Sequence, residues 1–385
     1  MANRRTQKSS EVSNVTQSSD IFAGSTLATA DLKPFQILAP DGRPVREELI
    51  PDLEIVEELY RQMARARYLD DKFMLLYKSQ PARLGSYAQF GGQEASQVAS
   101  AYVLEERDYL CPMYRNTAAM VTHGWPIEKA ILYWRGHPEG WRIPDDLNIL
   151  PIIISIPGQV VHAAGVALGI QAQNLGAVAM TYIGEGGTSQ GDFHAGVNFA
   201  AARKAPVVFI IENNGWAISV PRKVQSGVDH LMRRAEGYGI PGYLVDGNDA
   251  LAVYTVVKKA VDDARAGNGP SIIEQMTYRI RPHTTGDEPK AYRTEDETND
   301  WITNRDPIKR LKLFLELEKR WNDDREVAMQ AEIETEFAVA LEAADNTPAP
   351  DPMALLDYAM IEPTWQLEEQ RAILQARVAA EGGAA

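Results

Sequence analysis

Two short motifs in the middle of the chain carry residue types that can hold a metal ion and a phosphate group. Gly184-Glu185-Gly186-Gly187 and Asn213-Asn214-Gly215 each follow an apolar run typical of a buried strand. Adjacent parallel strands end at one crevice, so Glu185 and Asn214 are predicted to meet there although they lie far apart in the sequence. The glycines allow backbone amides to approach a phosphate, and the start of the following helix adds its positive end.

An acidic side chain inside an anion site implies a cation. Mg²⁺ takes oxygen ligands and usually bridges to phosphate oxygens. The carboxylate of Glu185, the amide oxygen of Asn214 and the main-chain carbonyl of Trp216 would supply three ligands. Taken singly, each motif is also typical of an ordinary tight turn, so the hypothesis of a magnesium-diphosphate site depends on both together.

Buried strands and crossover helices are predicted to position these motifs. Residues 178–183 and 207–211 form strands with a crossover helix at 192–203, and residues 243–245, 250–266 and 271–276 form a second strand-helix-strand unit. Earlier helices are expected at 52–77, 93–104 and 126–135, with a loop from Asp108 to Arg115. The pattern predicts an α/β fold, a doubly wound parallel sheet flanked by helices, with a helical C-terminal extension.

Three regions follow from this pattern. Residues 1–33 are polar and rich in Ser and Thr, and they are expected to form a disordered tail. Residues 34–305 would form the α/β domain, and residues 306–385 the helical C-terminal region.

Composition narrows the functional classes. The 39 Lys and Arg residues against 53 Asp and Glu residues give a net charge of −14, which makes nucleic acid an unexpected ligand. Cys111, the single cysteine, suits a reducing compartment, and no apolar run is long enough to span a membrane. A cytoplasmic, bacterial protein is expected, in preference to a mitochondrial one.

The paired motifs also carry a family resemblance. The spacing of GEG and NN resembles the thiamin diphosphate signature, and GEGGTSQGDFHAGVNFAAARKAPVVFIIENNGWAISVP is similar to alpha subunits of the decarboxylating (first) component of 2-oxo acid dehydrogenase complexes. The similarity extends from about residue 35 to about residue 375. It implies the diphosphate-binding half of the thiamin diphosphate-binding fold, with thiamin diphosphate and Mg²⁺ as cofactors. The segment RIRPHTTGDEPKAYR resembles the branched-chain type, so branched-chain 2-oxo acids such as 3-methyl-2-oxobutanoate are the expected substrates.

The resemblance assigns roles to individual residues. It implies that Tyr114 and Arg115 reach the diphosphate, that Ile156 props the cofactor in its bent form, and that His283 is the catalytic proton donor beside the cofactor. Arg279 and Asp287 would order the loop around His283. The family's ligand set falls on the residues already singled out, namely Gly184, Glu185, Gly186, Gly187, Asn214 and Trp216.

The resemblance also implies partners. Enzymes of this class place the glutamate that activates the cofactor on a second α/β domain, which points to a separate beta subunit and an α2β2 heterotetramer. A lipoyl-bearing acyltransferase would accept the acyl group. Two alternatives stay open: a pyruvate or acetoin dehydrogenase alpha subunit, and a non-catalytic paralogue that keeps the fold.

Overall fold

The computed structural model describes residues 32–357 and 359–380. Its strands are β1 (Tyr109–Cys111), β2 (Ala179–Gly184), β3 (Val207–Asn213), β4 (Trp216–Ala217), β5 (Val220–Pro221), β6 (Gly242–Asp246) and β7 (Ser271–Met276). Its helices are α1 (Leu53–Lys78), α2 (Glu94–Ala101), α3 (Thr117–Thr122), α4 (Ile127–Trp134), α5 (Pro138–Trp141), α6 (Gly158–Gln173), α7 (Gly191–Arg203), α8 (Arg222–Gln225), α9 (Arg234–Gly237), α10 (Ala250–Arg265), α11 (Glu295–Asn304), α12 (Pro307–Leu317), α13 (Asp323–Asp345), α14 (Ala354–Asp357) and α15 (Trp365–Ala380).

A five-stranded parallel sheet forms the centre of the molecule, in the order β1-β2-β3-β7-β6. Strand β3 is buried along its whole length, as its β-branched apolar sequence predicts for a strand covered on both faces. Gly184 at the end of β2 is the register partner of Glu212 in β3, so both strands end at the same edge.

Helices cover both faces of the sheet. Side chains of α6 and α7 pack with Ile183 and Phe209 on one face. On the other face, side chains of α1, α2 and α10 pack with Tyr182 and Ile210. The predicted doubly wound parallel sheet is therefore confirmed.

The predicted helices and strands lie within a few residues of the observed ones, but several observed elements were not predicted, among them the 16-residue helix α6. Two further examples are short. The segment from Asp108 to Arg115, expected to be a loop, contains the edge strand β1, which pairs with β2 through Tyr109–Cys111. Helix α3 at Thr117–Thr122 was not expected either. Both elements are too short for a periodic apolar pattern to develop, and neighbouring structure stabilises them.

The C-terminal helices α12 and α13 contribute Leu311, Phe314 and Phe337 to the same apolar cluster as α1. The division at residue 305 stays a prediction.

The predicted N-terminal tail lies almost wholly outside the described residues. Within the described part of the chain, no helix combines the length and the apolar character that a membrane crossing needs.

Candidate functional site

Glu185 and Asn214 lie together at the carboxyl edge of the sheet. Glu185 follows β2, and Asn214 follows the neighbouring strand β3. The backbone N–H of Asn214 donates a hydrogen bond to Oε2 of Glu185 at 3.3 Å. Glu185 is 1% exposed and Asn214 is 5% exposed. The two sequence motifs thus meet at one point, as parallel-strand geometry predicts.

The carboxylate of Glu185 is incompletely satisfied. Its Oε1 is buried and has no hydrogen-bond partner in the described chain. Burial raises the pKa of Glu185 to about 7, and the nearby charges of Arg279 and Arg115 act in the opposite direction. A buried carboxylate oxygen without a partner fits a bound cation, which would favour the ionised form.

Gly186 and Gly187 lie in a closely packed turn, where a side chain would collide with neighbouring atoms. A Cβ added at Gly186 would lie 2.5 Å from Cβ of Ala217, and one added at Gly187 would lie 2.6 Å from Cγ2 of Ile156. A Cβ at Gly184 would meet no atom within 4 Å. Ile156 therefore packs against the turn that carries Glu185, and two of the three glycines are sterically required.

Trp216 lies beside Asn214 in the hairpin formed by β4 and β5. Its backbone N–H donates to Oδ1 of Asn214 at 3.2 Å, and its indole Nε1 donates to Glu297 at 2.9 Å. Among the described residues, no three His, Cys, Asp or Glu side chains converge as a metal-ligand group. A metal held here would therefore take the mixed set predicted from the sequence: one carboxylate, one amide oxygen and one main-chain carbonyl.

The second half of the site joins Arg115 to His283. Nη2 of Arg115 lies 3.0 Å from Nδ1 of His283 and donates to the His283 carbonyl at 2.9 Å. Nη1 of Arg115 donates to the carbonyl of Gln89. The ring of Tyr114 lies beside both groups, 6.1 Å from the His283 ring and 5.4 Å below the Arg115 guanidinium.

His283 is held in its neutral form. Partial burial, together with the positive charges of Arg115 and Arg279, lowers the pKa of His283 to about 3. A guanidinium group has only donors, so Nδ1 of His283 accepts the hydrogen bond from Arg115 and the ring proton lies on Nε2. This assignment follows from the partner of Nδ1.

Asp287 contacts the loop that carries His283 directly, whereas Arg279 contacts it through Tyr292. Asp287 accepts hydrogen bonds from the backbone N–H of His283 at 2.6 Å and from the hydroxyl of Tyr292 at 2.5 Å. The hydrogen bonds of Arg279 do not go to His283: it donates to Tyr292 at 3.1 Å and to the carbonyl of Ile218 at 2.8 Å. Arg279 therefore connects the histidine loop to the segment that follows Asn214.

Sequence reasoning missed several buried polar residues around the site. Glu212, at 0% exposure, accepts from Asn116 at 2.8 Å and from Ser96 at 3.2 Å, and burial raises its pKa to about 7. Gln93 and Tyr292 were missed as well. Glu212 and Tyr292 lie within the two segments that carry the family resemblance, but no role was assigned to either of them from the sequence, and no motif singled out Gln93.

The comparisons with known proteins agree with this geometry. A sequence profile of the family described as "Dehydrogenase E1 component" matches residues 60–353. The chain is 45% identical over 338 residues to the "Pyruvate dehydrogenase E1 component subunit alpha" of Staphylococcus aureus strain Mu50, covering 87% of this chain and 90% of that protein. The protein of the same name from Staphylococcus epidermidis strain RP62A is 44% identical over the same shares of the two chains. The chain therefore belongs to the dehydrogenase E1 component family, the thiamin diphosphate-dependent enzymes that oxidise 2-oxo acids.

Proposed function

We propose that this chain is the alpha subunit of a pyruvate dehydrogenase first component, which uses thiamin diphosphate and Mg²⁺. The names of the similar staphylococcal proteins support pyruvate. The sequence segment 279–293 had favoured branched-chain 2-oxo acids, and no comparison supports that choice. Pyruvate was the alternative left open at that stage, and it is now the better supported substrate.

One observation carries the cofactor assignment: Glu185 and Asn214 meet at the ends of two adjacent parallel strands. We infer that Glu185, Asn214 and the carbonyl of Trp216 hold Mg²⁺. The backbone around Gly184, Gly186 and Gly187 would approach the diphosphate, with Tyr114 and Arg115 beside it. The close packing at Gly186 and Gly187, which admits no side chain on the turn, and the unpartnered Oε1 of Glu185 support this arrangement.

When bound, thiamin diphosphate supplies the electron sink that makes decarboxylation of a 2-oxo acid feasible. The residues of the chain provide position and charge around it. Ile156 packs against the turn of Gly187 and would limit the shape that the cofactor takes. Arg115 fixes the ring of His283, so the N–H at Nε2 is the group that His283 offers to a reacting oxygen. A neutral imidazole can polarise an oxygen by donating a hydrogen bond.

A separate beta subunit completes the site in this proposal, in an α2β2 assembly. The similar proteins carry the name "subunit alpha", and the described residues contain one parallel sheet. The lipoyl group of an acyltransferase component would accept the acyl product. A cytoplasmic location is proposed on the acidic, cysteine-poor composition alone.

A substrate panel tests the choice of 2-oxo acid. The chain is co-expressed with a candidate beta subunit, and kcat/KM is measured for pyruvate and for 3-methyl-2-oxobutanoate. We expect pyruvate to be preferred by at least roughly tenfold, since 3-methyl-2-oxobutanoate carries two more methyl groups, and even one extra carbon in a closed pocket changes the free energy of binding by about 1–3 kcal/mol. A preference for 3-methyl-2-oxobutanoate would restore the branched-chain interpretation. An assembly that turns over neither substrate and binds no cofactor would favour a non-catalytic paralogue.

A further inference from the structure

A fully buried glutamine, Gln93, contacts the side chain of Asn214. Gln93 precedes α2 as its N-cap residue and is 0% exposed. Its Oε1 accepts a hydrogen bond from Nδ2 of Asn214 at 3.0 Å. The Gln93 side chain makes no capping bond to α2, so stabilising that helix does not explain this contact.

Two neighbours fix the orientation of the Asn214 amide. The backbone N–H of Trp216 can only donate, so the Asn214 atom that it reaches at 3.2 Å is Oδ1. Nδ2 of Asn214 then faces Gln93, which must present its oxygen. The Nε2 of Gln93 in turn faces the carbonyl of Phe90 at 3.5 Å. These donors and acceptors match only one orientation of the Asn214 amide and one of the Gln93 amide.

We propose that Gln93 is a positioning residue of the metal site, which keeps Oδ1 of Asn214 available to the ion. The inference rests on the proposed function, because it takes Asn214 as a metal ligand. Without an acceptor at residue 93, Nδ2 of Asn214 would be a buried donor with no partner. This orientation of the amide would then be destabilised, which would favour its rotation. Rotation would move Oδ1 away from the ion. Removal of a group that orients a metal ligand typically weakens metal binding by roughly 10- to 100-fold.

The test measures metal affinity directly, without relying on turnover. The chain is co-purified with its beta subunit, and Mn²⁺ binding is followed by electron paramagnetic resonance at saturating thiamin diphosphate. We expect Gln93→Met, which keeps the length but removes the acceptor, to weaken Mn²⁺ binding roughly 10- to 100-fold. Gln93→Glu keeps an acceptor at the same reach and should bind Mn²⁺ nearly as well as the unsubstituted protein.

A matched control separates positioning from general loss of packing. Gln159 is also a buried glutamine, 1% exposed, and its Nε2 donates to the carbonyl of Tyr182 at 2.8 Å rather than bonding to Asn214. Gln159→Met should leave the Mn²⁺ affinity unchanged. If Gln93→Met does not assemble, Gln93→Asn serves in its place, since its shorter side chain withdraws the acceptor and should weaken binding in the same way.

Asn214→Ala distinguishes failure of this inference from failure of the proposed function. If Asn214→Ala weakens Mn²⁺ binding and Gln93→Met does not, the role of Gln93 is overturned and the metal site stands. If Asn214→Ala leaves Mn²⁺ binding unchanged, the metal site itself is wrong. If both weaken binding and the double variant adds nothing beyond Asn214→Ala, Gln93 acts through Asn214 as proposed.

Discussion

Arg115 donates a hydrogen bond to Nδ1 of His283, at 3.0 Å, and a second to the His283 carbonyl, at 2.9 Å. The positive guanidinium sets the ring tautomer and helps to lower the pKa of His283 to about 3. Protonation of Nδ1 would place two donors against each other. At neutral pH the ring is therefore a neutral donor through Nε2, and the sequence-based role of proton donor remains a prediction for the assembled enzyme.

Replacing His283 by alanine should separate cofactor binding from chemistry. His283→Ala removes the Nε2–H donor but none of the predicted magnesium ligands. We expect acyl transfer to a lipoyl domain, followed by mass spectrometry, to fall roughly 10²- to 10⁴-fold while calorimetry shows little change in cofactor affinity. His162→Ala, at an exposed position on α6, serves as the control. Unchanged acylation in His283→Ala would remove this histidine from the mechanism.

Metal binding should release a proton below neutral pH. Burial raises the pKa of Glu185 to about 7, and a metal ligand must be ionised. We therefore expect Mg²⁺ affinity to fall as the pH drops below about 7, with up to one proton released per ion at pH 6. Calorimetry in two buffers of different ionisation enthalpy measures that proton. Glu212→Gln is the control, since Glu212 has a similarly raised pKa but is bonded to Asn116 and Ser96; loss of the proton release in this variant would contradict the assignment to Glu185.

The same carboxyl should destabilise the cofactor-free protein at alkaline pH. The folded chain keeps a proton on Glu185 up to about pH 7, whereas the unfolded carboxyl releases it near pH 4.5. The contribution of Glu185 to the free energy of unfolding therefore falls as the pH rises through this window. Glu185→Gln should stabilise the cofactor-free complex by about 1–3 kcal/mol at pH 8 and less at pH 5, as measured by denaturant unfolding. An equal effect at both pH values would mean that titration of Glu185 is not its cause.

Added side chains at the two close-packed glycines should damage cofactor binding. A Cβ at Gly186 or Gly187 would lie within 2.6 Å of Ala217 or Ile156, so the turn must move. We expect Gly186→Ala and Gly187→Ala to weaken binding of thiamin diphosphate at least roughly tenfold, which corresponds to about 1–3 kcal/mol of strain. Gly191→Ala meets no atom within 4 Å and is the matched control. Equal affinities for all three variants, measured by calorimetry, would show that the turn does not cradle the cofactor.

The chain should need its partner for turnover. We expect the alpha subunit purified alone to bind magnesium and thiamin diphosphate weakly and to release no carbon dioxide from pyruvate. Addition of the beta subunit should restore both properties, which calorimetry and a carbon dioxide assay would follow. Steady turnover by the alpha subunit alone would contradict the shared active site.

The central part of the fold could be predicted because its strands are long and apolar. The pattern located β7 at Ser271–Met276, its observed range, and it placed Glu185 and Asn214 at one edge of the sheet. Strand β1 was missed because its three residues are too few to display a period, and its pairing with β2 arises from tertiary contact.

The polar surroundings of the site could not be predicted in the same way. Gln93 and Tyr292 come from separate segments and bond to Asn214 and Asp287 only after folding. Glu212 likewise meets its partner Asn116 only in the folded chain. Arg279 was expected to order the histidine loop. Its hydrogen bonds go to Tyr292 and Ile218, so it contacts that loop only through Tyr292. Side-chain partners of this kind depend on distances between elements, which residue spacing does not encode.

The register pairing of Gly184 with Glu212 has a consequence for protein evolution. The backbone hydrogen bonds that pair β2 with β3 determine how far apart Glu185 and Asn214 lie. The length of the connection through α7 does not affect this distance. Insertions or deletions in that connection would be tolerated as long as both strands keep their alignment. A slip of a single residue between the strands, in contrast, would separate the pair.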